Sequence, residues 1–322
     1  MQYAMESLLI MLKNVVMFVL LALPGYILVK TKLLNAEHTG ALSKLLMFVG
    51  MPFLILSSTL KLSLSAEFVK MMLLVAGIGV AFILVAFFAS ALLTKGEKNE
   101  KTRGMMRFSA VFANNGFLGL PLAIAVFGAD SQAVAVVIVL NIITNILMFT
   151  LGVYLVSGDK ETMNFKKAFL NPVLIAFVIG IVLNLLKITS FVPEVATYSG
   201  HFNNIVTPLS MTVLGMKMGE IKFSKLFTNV KTYYVSAIKL ILFPVVIVGL
   251  LLLIRLFAAE ALNADILIGI FVAFAVPTAG LASTFADQLG GDTESAVSFT
   301  LGSTLLSIIT IPVLYWVLNL II

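Results

Sequence analysis

Residues Ala113 to Pro121 read A-N-N-G-F-L-G-L-P. Two adjacent amides, two glycines and a proline stand in the middle of a long apolar run, where an ordinary helix has no use for them. Pro121 lacks an N–H and clashes with the preceding turn, and Gly116 and Gly119 lower the cost of unwinding. Asn114 and Asn115 then offer donors and acceptors to a ligand or to freed backbone groups. Residues Ala275 to Thr284, A-V-P-T-A-G-L-A-S-T, follow the same plan. There Pro277 and Gly280 are the breakers, with Thr278, Ser283 and Thr284 beside them. A simple proline kink repaired by neighbouring hydroxyls is the plainer reading of either stretch alone. Two at matched positions point to a crossed pair of broken helices. The half-helix N-termini of such a pair each carry exposed N–H groups and about half a positive charge, which suits an anion.

The remaining polar residues fit that chemistry. All 15 carboxylates, Asp130, Asp265 and Asp287 among them, fall in joints or within a turn or two of the end of an apolar run. A proton or sodium antiporter usually needs a buried carboxylate, and the pattern offers none. The one strong mid-run charge is Lys239, about eight residues in, or roughly 12 Å from the end at about 1.5 Å per residue. It is either a counter-charge for the anion, a cation tying mobile helices together, or a side chain that snorkels. Lys13 reads as snorkelling. Asn141 and Asn145 lie one turn apart on one helix face, lining a cavity or packing between helices. No cysteines and only two histidines, His38 and His201, exclude disulfides and thiol nucleophiles and argue against a metal centre.

The elements that must position these residues follow from composition. The 322 residues are 61% hydrophobic and 11% charged, with a mean hydropathy of +1.12. Soluble domains stand near 45–50% apolar and about 25% charged. Ten apolar runs can be read, at about 8–29, 39–60, 67–94, 105–128, 131–157, 168–187, 196–218, 231–257, 264–287 and 294–320. Each exceeds a crossing length of about 20 residues, and a backbone in lipid must be helical. The expectation is an all-α membrane protein of ten transmembrane helices. The first run is too long for a signal peptide. The pI near 9.4 reflects basic loops rather than nucleic-acid binding.

Joints after odd-numbered runs hold 15 Lys and Arg, including Lys44, Lys166, Lys167, Lys217, Lys222, Lys225 and Lys231, against four on the other side, Lys61, Lys70, Lys187 and Arg255. The imbalance places both termini outside. The polar joint from Ser157 to Lys167 divides the chain into residues 1–157 and 158–322, two halves of five runs that must be inverted if they are repeats. Pro52 and Pro208 are 156 residues apart, as are Pro121 and Pro277. Gly-Asp joints follow runs four (Gly128 to Asp130) and nine (Gly290 to Asp292). Inverted repeats with interrupted helices are a common plan of secondary transporters.

Ten runs with both termini outside, the N-N-G-F-L-G-L-P stretch with its following G-A-D, Met51 to Phe53 (M-P-F), Lys239 five residues before Pro244 and a proline-broken ninth run ending F-A-D-Q together resemble the auxin efflux carrier family, specifically its short bacterial members. The resemblance covers essentially the whole chain and is most specific in the fourth run. The long central loop of the plant members is missing, and its phosphorylation control with it. The resemblance implies the fold of bile-acid/sodium symporters: a scaffold of residues 1–60 and 168–218, a transport domain of residues 67–157 and 231–320, an elevator motion, and usually a homodimer. It carries the substrate-contacting asparagine onto Asn114, the crossover prolines onto Pro121 and Pro277, and a polar residue approximately onto Asn141. Bacterial relatives are often described as malate or malonate permeases.

The expected function is secondary transport of a small mono- or dicarboxylate across the bacterial cytoplasmic membrane, with no enzymatic activity, cofactor or nucleic-acid partner. Asn114, Asn115, Asn141, Thr278 and Lys239 form the expected substrate site, and Gly116, Gly119, Pro121, Pro277 and Gly280 the crossover. Membrane potential alone favours export of a net negative charge by about 2.3 kcal/mol per charge per 100 mV. Uptake needs coupled Na+ or H+, for which neutral oxygens such as those of Asn115, Thr278 and Gln288 are present. The rival reading is a sodium-coupled symporter of a bulkier amphipathic substrate.

Overall fold

The structure is a computed structural model that describes residues 2–62, 64–162, 170, 172–220, 229–256 and 262–322. Lys166, Lys167, Lys222 and Lys225, and the ends of the sixth and eighth apolar runs at 168 and 257, lie outside these. Among the described residues there is no β-strand, only one isolated bridge. The helices are α1 (Gln2–Lys30), α2 (residues 36–59), α3 (Ala66–Leu93), α4a (Glu100–Val111) with α4b (Leu120–Phe127), and α5 (Gln132–Ser157). They continue as α6 (Pro172–Leu185), α7 (Glu194–Gly219), α8 (Val230–Arg255), α9a (Ala264–Ala275) with α9b (Ala282–Leu289), and α10 (Thr293–Ile321).

Five segments are long and apolar enough to cross a membrane unaided: Glu37–Thr59, α3, α5, α8 and α10. Shorter apolar helices at Leu20–Lys30, Asn115–Phe127, Pro172–Leu185 and Ala264–Ala275 accompany them. The shortening of the fourth and ninth runs has a direct cause. The fourth is cut after the 12 residues of α4a and resumes as Asn115–Phe127, the ninth is cut into pieces of 12 and 8 residues, and no piece reaches the roughly 20 residues a crossing takes.

Most helix starts are specified locally. Asn35, Ser65, Asn99, Ser131, Asn229, Asn263 and Asp292 each accept hydrogen bonds from the opening N–H groups of the helix that follows, relieving donors the helix cannot satisfy itself. At α2 the cap is reciprocal, because the Asn35 N–H donates to His38 Nδ1. His38 is thus spent on a helix end. Gly158 and Gly290 close α5 and α9b in the left-handed region, at φ 73° and 74°.

Three proline residues act through the turn before them. Pro52, Pro121 and Pro244 each sit at the opening of a resumed α-helix, directly after a π-turn at Leu46–Gly50, Asn115–Gly119 and Ile238–Leu242. The ring that would clash with a carbonyl four residues back is accommodated by the wider turn.

Packing sorts the helices. α1 lies along α7, and α2 packs on α6 and α7; α5 packs on α9a, α3 and α4, while α10 packs on α8, α9b and α4a. The two sets meet mainly where α1 touches α10 and α4b and where α7 touches the Asn115–Gly119 turn. α5 is buried on every side from Ala133 to Asn141, as is α9a from Ile266 to Ala275, the mark of helices enclosed by others. α3 and α8 instead turn Leu73, Phe88, Leu92, Val245 and Leu253 outward.

The polar contacts between turns also fall into two sets. Lys231 pairs with Glu97, Thr102 donates to Asp292, Thr39 to Glu220, and the Tyr234 hydroxyl to the Leu93 carbonyl. Lys61 pairs with Asp130, Asn263 donates to Gln132, and Asn184 donates to the carbonyls of Thr59, Leu60 and Leu62. The first set joins only turns after odd-numbered helices, and the second only turns after even-numbered ones.

The α1–α7 contact depends on missing side chains. A Cβ on Gly215 would stand 1.8 Å from the Ala22 carbonyl oxygen, and one on Gly25 1.9 Å from that of Thr212. Both obstacles are backbone, so close helix approach requires glycine. Gly215→Ala should lower stability by about 1–3 kcal/mol in a denaturation measurement. Gly77→Ala, where a Cβ meets nothing within 4 Å, should be neutral or stabilise by up to about 1 kcal/mol.

Asp292 gives a pH-dependent counterpart. Burial alone would raise its pKa, but hydrogen bonds from Ser295 and Thr102 outweigh this and hold it below its ordinary value. A lowered carboxylate pKa adds stability above the unfolded value of about 3.9 and loses it as pH falls through the folded value. Asp292→Asn should therefore lower Tm at neutral pH and flatten the decline of Tm below about pH 4.

Candidate functional site

The two interrupted helices meet at their interruptions. The Asn114 N–H donates to the Pro277 carbonyl (2.8 Å), and the Ala279 N–H to the Phe112 carbonyl (2.9 Å). They make a single antiparallel bridge centred on Ala113 and Thr278. Each segment supplies the other with the partners that its own helix has abandoned.

The breaks arise differently. In α9 the residue before Pro277 is driven out of the helical region, and Val276 is extended at φ −70°, ψ 155°. In α4 the extended residue is Phe112, at φ −92°, ψ 126°, nine positions ahead of Pro121. Pro121 therefore shapes the π-turn of the second half, whereas Pro277 sits in the bridge itself. The 156-residue proline spacing does not superpose the two crossings: Ala113 and Thr278 are 165 residues apart, and the α4a and α9a starts 164.

Thr278 locks the crossing. It is fully buried, its N–H donates to Ser303 Oγ (3.1 Å), and its Oγ1 donates to the Ser109 carbonyl (2.9 Å). Both polar groups of Thr278 are engaged away from the cavity beside the crossing.

That cavity measures about 40 Å³. Asn114, Gly116 and Phe117 line it from the start of the second half of α4, and Ala279, Gly280 and Leu281 from the start of that of α9. α5 contributes Asn141, Thr144 and Asn145, and α2 contributes Met47 and Met51. Both half-helix N-termini, with donors that have no intrahelical acceptor, thus open on one space. Among the described residues no carboxylate lines it.

The expected site residues divide. The Asn114 side chain faces the cavity and finds no partner among the described residues. Asn141 is 1% exposed; its Oδ1 accepts from Asn145 Nδ2 (3.0 Å) and its Nδ2 has no partner. Asn115 is turned toward α5, where its Nδ2 donates to Thr144 Oγ1 (3.0 Å) and its Oδ1 is left without a partner. It does not line the cavity, and neither does Thr278. A Cβ on Gly116 would meet Met51 Cε at 2.8 Å, and one on Gly280 the Phe117 ring at 3.4 Å, whereas at Gly119 the nearest atom is at 3.6 Å. Gly119 is thus free of any close approach that requires glycine.

Lys239 lies elsewhere. It is 1% exposed in the π-turn of α8, and its Nζ is 3.4 Å from the Phe274 carbonyl, in the last turn of α9a. It answers the negative end of that half-helix rather than the cavity. The cation beside the cavity is Lys217, which sequence reasoning assigned to a joint. Its Nζ donates to the Gly280 carbonyl (2.9 Å). The available signal was its position inside the polar end of the seventh apolar run, two residues before Gly219.

A second, larger space of about 420 Å³ adjoins the first and is lined by Thr39, Lys44, Lys217, Glu220, Asp287 and Thr293. Met47 and Leu281 line both.

An all-helical, strongly apolar chain with helices fit to cross a bilayer and two interrupted helices around a small cavity lined by three asparagines is a multi-pass membrane protein. The family model described as membrane transport protein matches residues 10–166 and 160–315, so the chain belongs to that family, the auxin efflux carrier/membrane transport protein family. The resemblance read from the sequence is borne out. An uncharacterized transporter of Methanothermobacter thermautotrophicus is 26% identical over 304 residues, 93% of this chain and 96% of its own. An uncharacterized transporter of Methanocaldococcus jannaschii is 28% identical over 222 residues, 64% of this chain and 68% of its own.

The crossing is open to a direct check. Thr278→Val keeps the shape but removes the donor to the Ser109 carbonyl, and should lower stability by about 1–3 kcal/mol. A Ser303→Ala change that removes only the acceptor for the Thr278 N–H should cost a similar amount, and the two together less than their sum.

Proposed function

We propose that this transporter moves a small organic anion, bound through a carboxylate, across the cell membrane by elevator-type alternating access. The observation that carries the reading is the cavity at the crossing. Two half-helix N-termini and the free amides of Asn114 and Asn141 converge there, with no carboxylate opposing them. Positive helix ends and unspent donors favour an oxyanion. Asn114 and Asn141 bind it through their amide N–H groups. Asn115 and Thr278 act behind them, the first fixing α4 to α5 through Thr144, the second holding the crossing closed. Lys239 offsets the negative end of α9a and so leaves the positive ends to the substrate.

The chain crosses the membrane ten times, α4 and α9 as broken pairs, with both termini outside. Contacts that join only turns of like parity support this, as does the basic excess of the odd-numbered turns. Residues 1–157 and 158–322 form two inverted repeats, supported by one interrupted helix in each half whose first piece has 12 residues. α1, α2, α6 and α7 form the scaffold (residues 1–60 and 168–218), and the rest the transport domain (67–157 and 231–320), in keeping with the packing. The 420 Å³ space then opens on the cytoplasm. Net export of an anion is driven by the membrane potential; uptake uses Na+ or H+. The working unit is a homodimer.

Thermal stabilisation by a panel of carboxylates tests the site, because a ligand that binds only the folded protein raises Tm by mass action. At least one carboxylate should raise Tm, and Asn114→Ala should abolish the shift while leaving the ligand-free Tm nearly unchanged. A shift that survives in Asn114→Ala moves the site elsewhere.

A further inference from the structure

The inner cavity is too small for a whole substrate. At about 10–15 Å³ of accessible space per water, 40 Å³ holds roughly three waters, enough for a carboxylate group and little more. The remainder of a bound anion must extend past Met47 and Leu281 into the 420 Å³ space. The charged group of the larger space that reaches the inner one is Lys217, whose ammonium rests on the carbonyl of Gly280, a residue that lines the inner cavity.

Lys217 is an under-satisfied cation. An ammonium has three donors, and the Gly280 carbonyl is its one hydrogen-bond acceptor among the described residues; Glu220, one turn on at the end of α7, favours its charge from beyond ion-pair distance. Two carboxylates, Glu220 and Asp287, line the same space, and Glu220 Oε1 already accepts from Thr39 Oγ1 (2.6 Å). Lys44 and Lys217 together balance them, so the space as a whole is no basic funnel. What singles out Lys217 is its place where the two spaces share their lining, on a helix packed chiefly with α1 and α2 and meeting the crossing helices at the Asn115–Gly119 turn.

We propose that Lys217 reads the outer end of the substrate and gives the carrier its preference for anions with a second negative group. In the empty protein its ammonium sits on the Gly280 carbonyl. When a dianion binds, one carboxylate lies at the helix starts and the other takes the ammonium, exchanging a neutral acceptor for a charged one. The exchange also frees Gly280 from α7, so the same event that recognises the ligand releases a contact between the two helix sets. This inference rests on the carboxylate reading above.

The test uses succinate and monomethyl succinate, which match in backbone length but differ in charge at one end. Binding is measured on the full-length purified protein by calorimetry and thermal shift. Wild type should bind succinate about tenfold or more tighter than the monoester. Lys217→Gln, which keeps a donor for the Gly280 carbonyl, should bring succinate to the monoester's affinity and change the monoester by less than about threefold; Lys217→Arg should retain the preference. Equal weakening of both ligands by Lys217→Gln would overturn the proposal, since that is what loss of structure alone produces. A wild-type preference under about threefold overturns it without any variant. If both ligands bind in an Asn114-dependent way and Lys217→Gln keeps the preference, the Lys217 proposal alone fails. If neither binds wild type, the carboxylate reading fails and takes this inference with it.

Discussion

Two backbone hydrogen bonds govern this molecule. A helix interrupted in the middle of an apolar bundle leaves N–H and C=O groups that no solvent can reach, each costing several kcal/mol if unpaired. Phe112 and Asn114 on one side and Pro277 and Ala279 on the other meet that demand mutually. Neither break is tenable without the other. The pair also fixes how α4 and α9 lie, and α5, α9a and α10 close around them with Thr144, Ser303 and Thr278 as the polar fastenings. The enclosure of α5 and α9a by other helices follows from the need to keep that crossing away from lipid.

A crossing of this kind produces two positive and two negative helix ends within a short distance. Lys239 stands at one negative end, against the Phe274 carbonyl, and the Ser109 carbonyl near the other accepts from Thr278. Among the described residues no carboxylate in the cavity lining answers the positive ends. The electrostatic character of the cavity is therefore set by backbone geometry and by where compensating groups are absent. On the reading proposed above, that lets a site with no charged residue in its described lining favour an anion.

Much of this is legible in the sequence. The apolar runs locate the helices to within a few residues, since hydropathy and Asn, Ser or Asp caps act locally. The two interruptions are visible because amides, glycine and proline in an apolar run oppose the helix on every count. Their register is not. Prolines 156 residues apart suggest equivalent breaks, yet the bridge pairs residues 165 apart, because Pro121 is absorbed by a π-turn while Pro277 disrupts the chain where it stands. Side-chain direction is hidden as well. Asn114 and Asn115 are neighbours, and only one faces the cavity, a difference decided by the local winding of the turn. Lys239 and Lys217 show the same limit: the lysine deepest in an apolar run serves a helix end, and the one near a polar joint reaches the cavity mouth.

The π-turns of α2, α4 and α8, and a fourth in α5 at Met148–Gly152, have an evolutionary reading. A π-turn is an α-helix with one residue inserted, and an insertion turns everything beyond it by about 100°. Each is a phase shifter that decides which side chains past it face the protein and which face lipid. Loss of a single residue from Ile238–Leu242 would let α8 close into a regular helix and rotate one flank against the other. Single-residue gaps among related sequences should collect at these four places, and sequences that lack the extra residue should show their apolar face displaced by about 100° downstream.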